Sequence, residues 1–369
     1  MELRAIDTSF NPIAYLDSCS SIQYIRKLYE VGTIEIHVDV KKEGARRLRR
    51  GVIVFLDEHR AGIIDSYTTD KSKAGKIVIA KGKQLKDLCR LRLTVPGQLE
   101  DTQYYGYDRY PALGEPDAPA ESIIKHYVDR HMVHPDDPNR AFPGLVIAPD
   151  QQRGPTMRWQ SRFEPLSTVF KNIGEQTGMG YDIYLDLEHN QFVFDVVVGN
   201  DHTSGSDHPV IFAPDWYDVS SLKYTEDASR YMNTAYCGGA DEDEGRLIQI
   251  VYENDTPRSG FERREVWLDC GSIENLDDLY YEGSYRLKEN AEVRGLSGEV
   301  VSAGPFKYLK DWDQGDMVTT VSRDDEVEMD ARITEVREVY EQGKKTITPT
   351  LGKRNKNALD EIRQRGVVR

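Results

Sequence analysis

Gly315-Asp316-Met317-Val318, Ala331-Arg332-Ile333-Thr334-Glu335, Gly343-Lys344-Lys345-Thr346-Ile347 and Leu351-Gly352-Lys353 follow one another near the end of the chain. They repeat the order of Gly51-Val52-Ile53-Val54, Ala61-Gly62-Ile63-Ile64-Asp65, Gly75-Lys76-Ile77-Val78-Ile79 and Lys81-Gly82-Lys83. Each copy reads as a strand after a glycine, a second strand, a glycine-bearing turn and a third strand. In the later copy Val327, Met329, Ala331 and Ile333 fall on one face, and Glu328, Asp330, Arg332 and Thr334 on the other, the two-residue period of a strand. Ile347 and Leu351 share a parity while Thr346, Thr348 and Thr350 take the opposite one. Similarity across so long an interval, with other material between, predicts two related β-modules. A solenoid would place its repeats side by side.

The chain has 369 residues, enough for two to four domains, since single cores seldom exceed about 250–300 residues. With 48 basic against 63 acidic side chains its net charge is −15, which argues against wrapping nucleic acid. No run approaches the roughly 18 apolar residues of a membrane span, and Met1-Glu2-Leu3-Arg4 enters a strand pattern with no signal-peptide core. Cys19, Cys89, Cys237 and Cys270 are scattered, form no CxxC pair and read as reduced, buried thiols of a protein made in a cytosol. Twenty-one tyrosines against ten phenylalanines suit half-buried strands and wet interfaces.

Taken in order, residues 1–95 read as a β-module. Ile34, Ile36 and Val38 alternate with Thr33, Glu35 and His37 after the turn Val31-Gly32, and Gly32, Gly75 and Gly343 are read as turn glycines. Lys41–Arg50 is predicted as a short basic helix and Gln84–Arg90 as the helix that closes the module. Eight prolines between Pro96 and Pro149 break any long element. Helices are predicted over Ala120–Val133 and Glu164–Thr177, the latter with Pro165 in its first turn and Gly178 as its stop, and a hairpin over Tyr181–Val198. From Val210 strands return, Leu276–Val293 reads as a helix with an acidic first turn, and Asn357–Arg365 as a basic terminal helix.

The expected fold is therefore a β-rich α+β one. Two related β-barrel (tube-type) domains carry an inserted α/β domain and a smaller helical and strand insertion. The boundaries are 1–95 for the first barrel, 96–209 for the inserted domain, 210–260 with 305–353 for the second barrel, 261–304 for the small insertion and 354–369 for the tail.

Candidate chemistry is sparse. His126, Asp129, His131 and His134 lie on or after one helix without HExxH spacing. His202 and His208 sit in a serine- and glycine-rich loop that lacks the strand-turn-helix context of a nucleophile elbow. Asp241-Glu242-Asp243-Glu244 lacks the spacing of a calcium loop. No glycine loop for phosphate stands out, so no cofactor, metal or catalytic residue is expected.

Met1-Glu2-Leu3-Arg4 with Asp7 and Asn11, Tyr29–Val38, Ala61-Gly62-Ile63-Ile64-Asp65, Asn233-Thr234-Ala235-Tyr236-Cys237-Gly238-Gly239, Arg263-Arg264-Glu265 and Leu351-Gly352 together resemble siphophage tail proteins of the Gp37-like family. The resemblance covers nearly the whole chain, apart from the proline-rich 103–119 and 134–155. It implies a structural baseplate or tail-tip hub in the virion. Such a hub is a homotrimeric ring whose two barrels per chain place six similar units around a channel. Its implied partners are the distal tail or tube protein, the tape-measure protein and fibre, spike or lysin components, with DNA passing unbound. Under that reading Glu328 and Asp330 are candidates for the channel wall, or else face outer solvent, and Tyr104, Tyr105, Tyr107 and Tyr110 are candidates for a subunit interface. The alternatives are a tail-associated cell-wall hydrolase, which needs a localised carboxylate pair, and a host carbohydrate- or receptor-binding module, which the four tyrosines would serve as an exposed cluster.

Overall fold

A computed structural model describes residues 2–352 apart from 73–74, 101–102, 105, 113, 214–218, 243–244, 272, 301–303, 324–325 and 342. The helix expected over Asn357–Arg365 lies outside these residues. The chain divides into two compact units, one of residues 1–223 with 297–351 and one built on 224–296.

In the first unit the strands are β1 (Leu3–Ile6), β2 (Pro12–Leu16), β3 (Ser21–Lys27), β4 (Thr33–Asp39), β5 (Ile53–Phe55), β6 (Ala61–Ser72) and β7 (Gly75–Gln84). The alternation in β4 is realised, with Ile34, Ile36 and Val38 buried in a core shared with Leu3, Tyr24, Val54, Ile64 and Val78. The predicted Lys41–Arg50 helix shrinks to one tight turn, Ala45–Arg47. Gly44 at φ +80 and Gly51 at φ +85 bracket it, and left-handed glycines at both ends leave no room for helix propagation. Its arginines act locally instead: Arg47 donates to the Ile13 carbonyl, and Arg49 lies 3.7 Å above the Tyr67 ring.

Next comes the inserted α/β segment. Helix α1 (Ala120–Val128) runs into a wider turn over Asp129–Val133, where the His134 N–H reaches back to the Asp129 carbonyl, so the helix expected to Val133 ends in a π-type turn. Strand β8 (Leu145–Ile147) pairs parallel to β10 (Gln191–Val197), which pairs antiparallel to β9 (Gly180–Asp186). Helix α2 (Leu166–Thr177) buries Leu166, Val169, Phe170 and Ile173 against this sheet and ends at Gly178, φ +76.

The second strand set consists of β11 (Val219–Asp227), β15 (Val293–Val300), β16 (Met317–Ser322), β17 (Val327–Glu341) and β18 (Lys344–Gly352). Between β11 and β15 stands the second unit. There β12 (Thr234–Glu242) is flanked by antiparallel β13 (Gly245–Tyr252) and parallel β14 (Glu265–Asp269), and helix α3 (Leu276–Glu289) covers one face through Leu279 and Leu287 over Ala235, Cys237 and Val251. Asn275 caps α3 by accepting from the Asp278 N–H at 2.8 Å. This pairing joins β12 and β13 to β14 across the 260/261 boundary drawn from sequence.

The hydrogen-bonded path of the large sheet runs β11-β15-β18-β17-β3-β4-β7-β6-β5-β1-β2. The protein is thus β-rich, with the two strand sets joined edge to edge in one large mixed sheet.

Candidate assembly surface

The two strand sets match bond for bond. In the first, the Gly51 N–H donates to the Ile64 carbonyl and the Ile64 N–H to the Val52 carbonyl, both at 2.8 Å. In the second, the Gly315 N–H donates to Ile333 at 2.9 Å and the Ile333 N–H to Asp316 at 2.8 Å. Gly51 and Gly315 sit at φ +85 and +98, where a glycine avoids the strain of a side chain. The middle strands each carry a bulge, β6 between Ile64 and Ser66 and β17 between Ile333 and Glu335. Beyond it both run seven residues to the hairpin end, where Ser72 faces Gly75 and Glu341 faces Lys344. Ile64 therefore corresponds to Ile333. Aligning the sequences on Ala61 and Ala331 misplaces the second strands by one residue, because the bulge falls one step later in the first copy. The extra residue of a bulge shifts the alternation by one, so the buried face passes from Ala331 and Ile333 before it to Val336 and Glu338 after it.

The arms differ in what lies beside them. Beyond its bulge β17 pairs antiparallel with β3, from Glu335 opposite Lys27 to Glu341 opposite Ser21. That pairing joins the first set to the second, and a polar cluster sits at it. Glu338, 0 % exposed, accepts from Arg60 Nη1 at 2.9 Å, from the Tyr308 hydroxyl at 2.9 Å and from the Tyr340 hydroxyl at 2.5 Å. Arg60 is also held by Asp57, through Nε at 2.7 Å. Arg26 donates from Nη1 to the Tyr308 hydroxyl at 3.0 Å and to Asp313 at 2.5 Å. Burial pushes the Tyr308 and Tyr340 phenols up, so both remain protonated donors. The sequence reading missed this cluster. Its one signal was the parity of Glu338, which falls with Val336 and Tyr340 once the bulge is counted.

Nearby, Lys86 is buried and its ammonium donates to the carbonyls of Leu28 and Tyr181, each at 3.1 Å, and to that of Lys27. Burial lowers its pKa to about 8, below the value near 10.4 of an unfolded lysine. Between those values the unfolded chain holds a proton that the folded chain has released, so stability rises with pH. Wild type should gain on the order of 2–3 kcal/mol over Lys86→Met between about pH 7.5 and 10.5. Denaturant unfolding at both ends of the range reads this, and a pH-independent difference would reject it.

The residues singled out from sequence fall in separate places. Glu328 and Asp330 are exposed on β17 before its bulge, and the Thr319 hydroxyl donates to Asp330 at 2.5 Å. Tyr107 is half-buried, and Tyr110, also half-buried, stacks on His126 at 4.0 Å between centroids. Tyr105 and the Tyr104 side chain lie outside what is described. Of the histidines weighed as ligands, His131 bonds Asp108 at 2.5 Å in the core, while His134 meets Asp129 at 2.6 Å on the surface. Among the described residues no three His, Cys, Asp or Glu side chains are grouped to hold a metal ion. Asp243 and Glu244 lie outside them. Cys89 and Cys237 are buried, Cys19 and Cys270 half-buried, and all are free thiols. No helix among the described residues is long and apolar enough to cross a membrane.

The family model of Siphovirus ReqiPepy6 Gp37-like protein matches residues 2–353, and the chain belongs to that family. It is thereby a phage tail component. The 43 kDa tail protein of prophage MuSo2 from Shewanella oneidensis is similar in fold, with a TM-score of 0.58 at 10% identity over 95% of this chain and 98% of that one. So is the prophage tail protein gp18 from Listeria monocytogenes EGD-e, at 0.56 and 12% over 100% and 99%. The tail protein from Neisseria meningitidis MC58 gives 0.53 and 11% over 97% and 98%. No curated protein sequence matches the chain.

Proposed function

We propose that this tail component is the baseplate, or tail-tip, hub. Copies close into a ring around the tail channel and join the tube to distal fibre, spike or lysin components. The observation that carries this is the bond-for-bond repeat of two strand sets joined edge to edge within one chain. Three chains then present six similar units about one axis, so a three-fold ring can meet a six-fold tube. The tube protein and the tape-measure protein are the partners on the channel side. Each chain brings a charge of −15, so the ring is strongly acidic. Glu328 and Asp330, exposed on β17, are proposed for the channel wall, where acidic groups repel passing DNA. Tyr107 and Tyr110 are proposed for a contact between chains. The role is structural rather than hydrolytic.

Light scattering with negative-stain imaging tests this. The expected result is three chains and six lobes around a hole, in the isolated protein or on adding its tail-tube protein. A chain that stays monomeric with that partner present overturns the reading.

A further inference from the structure

Within one chain the arm Glu335–Glu341 of β17 lies between β18 on one edge and β3 on the other. Its counterpart in the first set, Ser66–Ser72 of β6, has β7 on one edge only, because β5 stops at the Ala61–Ile63 end. No strand among the described residues pairs with the other edge. Burial follows this difference. Val336 and Glu338 are both fully buried beside β3, while Ser66, Thr68, Thr69, Asp70 and Lys71 are exposed. The free arm is rich in Thr and Ser, contains a Tyr and no Pro, and so is a strand edge ready to pair.

The other end of the same row of strands is β11. The order β11-β15-β18-β17 repeats the order β3-β4-β7-β6, which makes β11 the counterpart of β3. Sequence agrees: Ser221-Leu222-Lys223-Tyr224 follows the pattern of Ser21-Ile22-Gln23-Tyr24. The internal joint thus shows how the last strand of one set meets the first strand of the other, and among the described residues no further strand pairs with the outer side of β11 or of the β6 arm.

We propose that the Ser66–Ser72 edge of β6 pairs antiparallel with β11 of a second copy of this chain, repeating between chains the β17-to-β3 joint made within one. This rests on the ring reading and names the contact that closes it. Carrying over the internal register, in which Val339 faces Gln23 and Glu341 faces Ser21, puts Asp70 opposite Lys223 and Ser72 opposite Ser221. The first of these pairs carries opposite charges. The contact joins two unlike edges, so it is heterologous, and repeated by rotation it closes into a ring that leaves neither edge unpaired.

The test uses two full-length variants, Asp70→Cys and Lys223→Cys, carrying tags of different size. They are mixed, assembled with the tail-tube protein and mildly oxidised, with wild type as the control for the native thiols. A heterodisulfide between the two variants, in up to about half of the chains assembled from an equal mixture, since a mixed ring of three holds one such pair, and absent from either variant alone, is the expected result. The Asp70→Cys/Lys223→Cys double variant should then run as a covalently closed ring of three chains. Light scattering on the same samples separates the two claims. Rings without the heterodisulfide overturn this edge pairing and leave the hub reading standing. Monomers without it overturn both.

Discussion

Glu338→Ala is expected to destabilise the protein by about 3–5 kcal/mol, because it leaves buried cationic and phenolic partners without their acceptor. Glu338 is fully buried and takes hydrogen bonds from Arg60, Tyr308 and Tyr340. Removing it does not free Arg60 to reach water easily, since that guanidinium is only 14% exposed at its side chain. Arg60 keeps Asp57 and Tyr340, but its Nη1 and the two buried phenols lose their charged acceptor, and that leftover penalty makes breaking the cluster costlier than the cluster is worth. For a unit of this size the loss corresponds to roughly 5–10 °C in melting temperature. Arg60→Ala removes the charge from the other side, and the double variant should lose much less than the sum of the two, the mark of coupled groups. Thermal and denaturant unfolding of the three variants measures this. A loss under about 1 kcal/mol for Glu338→Ala, or additive losses, would show the cluster to be solvated rather than buried at the joint.

This cluster marks where sequence reasoning stops. Strand positions were legible because alternation is local: Ile34, Ile36 and Val38 fall inside β4 as their spacing requires. The repeat was legible from glycines that hold the same left-handed backbone, Gly51 and Gly315. Its register was not, since the bulges after Ile64 and Ile333 leave no residue signature. Once the count is off by one, Glu338 reads as an ordinary solvent-facing glutamate, and its partners Arg60 and Tyr308 lie far off along the chain. The basic stretch Lys41–Arg50 misled in the opposite sense. Its composition favours a helix, but Gly44 and Gly51 fix a turn. Assembly roles for Glu328, Asp330 and the tyrosines rest on contacts between chains, and no pattern within one chain encodes a partner's surface directly. What a chain can encode is a leftover edge, visible only after the strands have been ordered.

Gly32→Ala is expected to cost about 3 kcal/mol or more, through backbone overlap rather than through the left-handed geometry that a turn glycine suggests. Gly343 does hold such a geometry, at φ +77, and Gly75 lies at φ +139, with open space around both. Gly32 is different. A Cβ there would stand 1.8 Å from the Ile25 carbonyl oxygen and 2.5 Å from Gln84 Oε1. Neither neighbour can move aside cheaply. Ile25 is in the middle of the joint, paired with Thr33 on one side and with Arg337 on the other. Gln84 Oε1 accepts from the Gly32 N–H at 2.7 Å, and the Gln84 N–H donates to the Gly32 carbonyl at 3.1 Å. A methyl group therefore has to push apart the β3–β4 turn and, with it, the strand on which β17 docks. Overpacking of this kind costs about 1–3 kcal/mol where side chains can give way, and more where backbone must shift. Gly343→Ala, strained but uncrowded, should cost about 1 kcal/mol. Unfolding midpoints of the two variants compare them directly. Equal losses would mean that the β3–β4 turn has room to relax and that the close approach at Gly32 does not hold the joint in place.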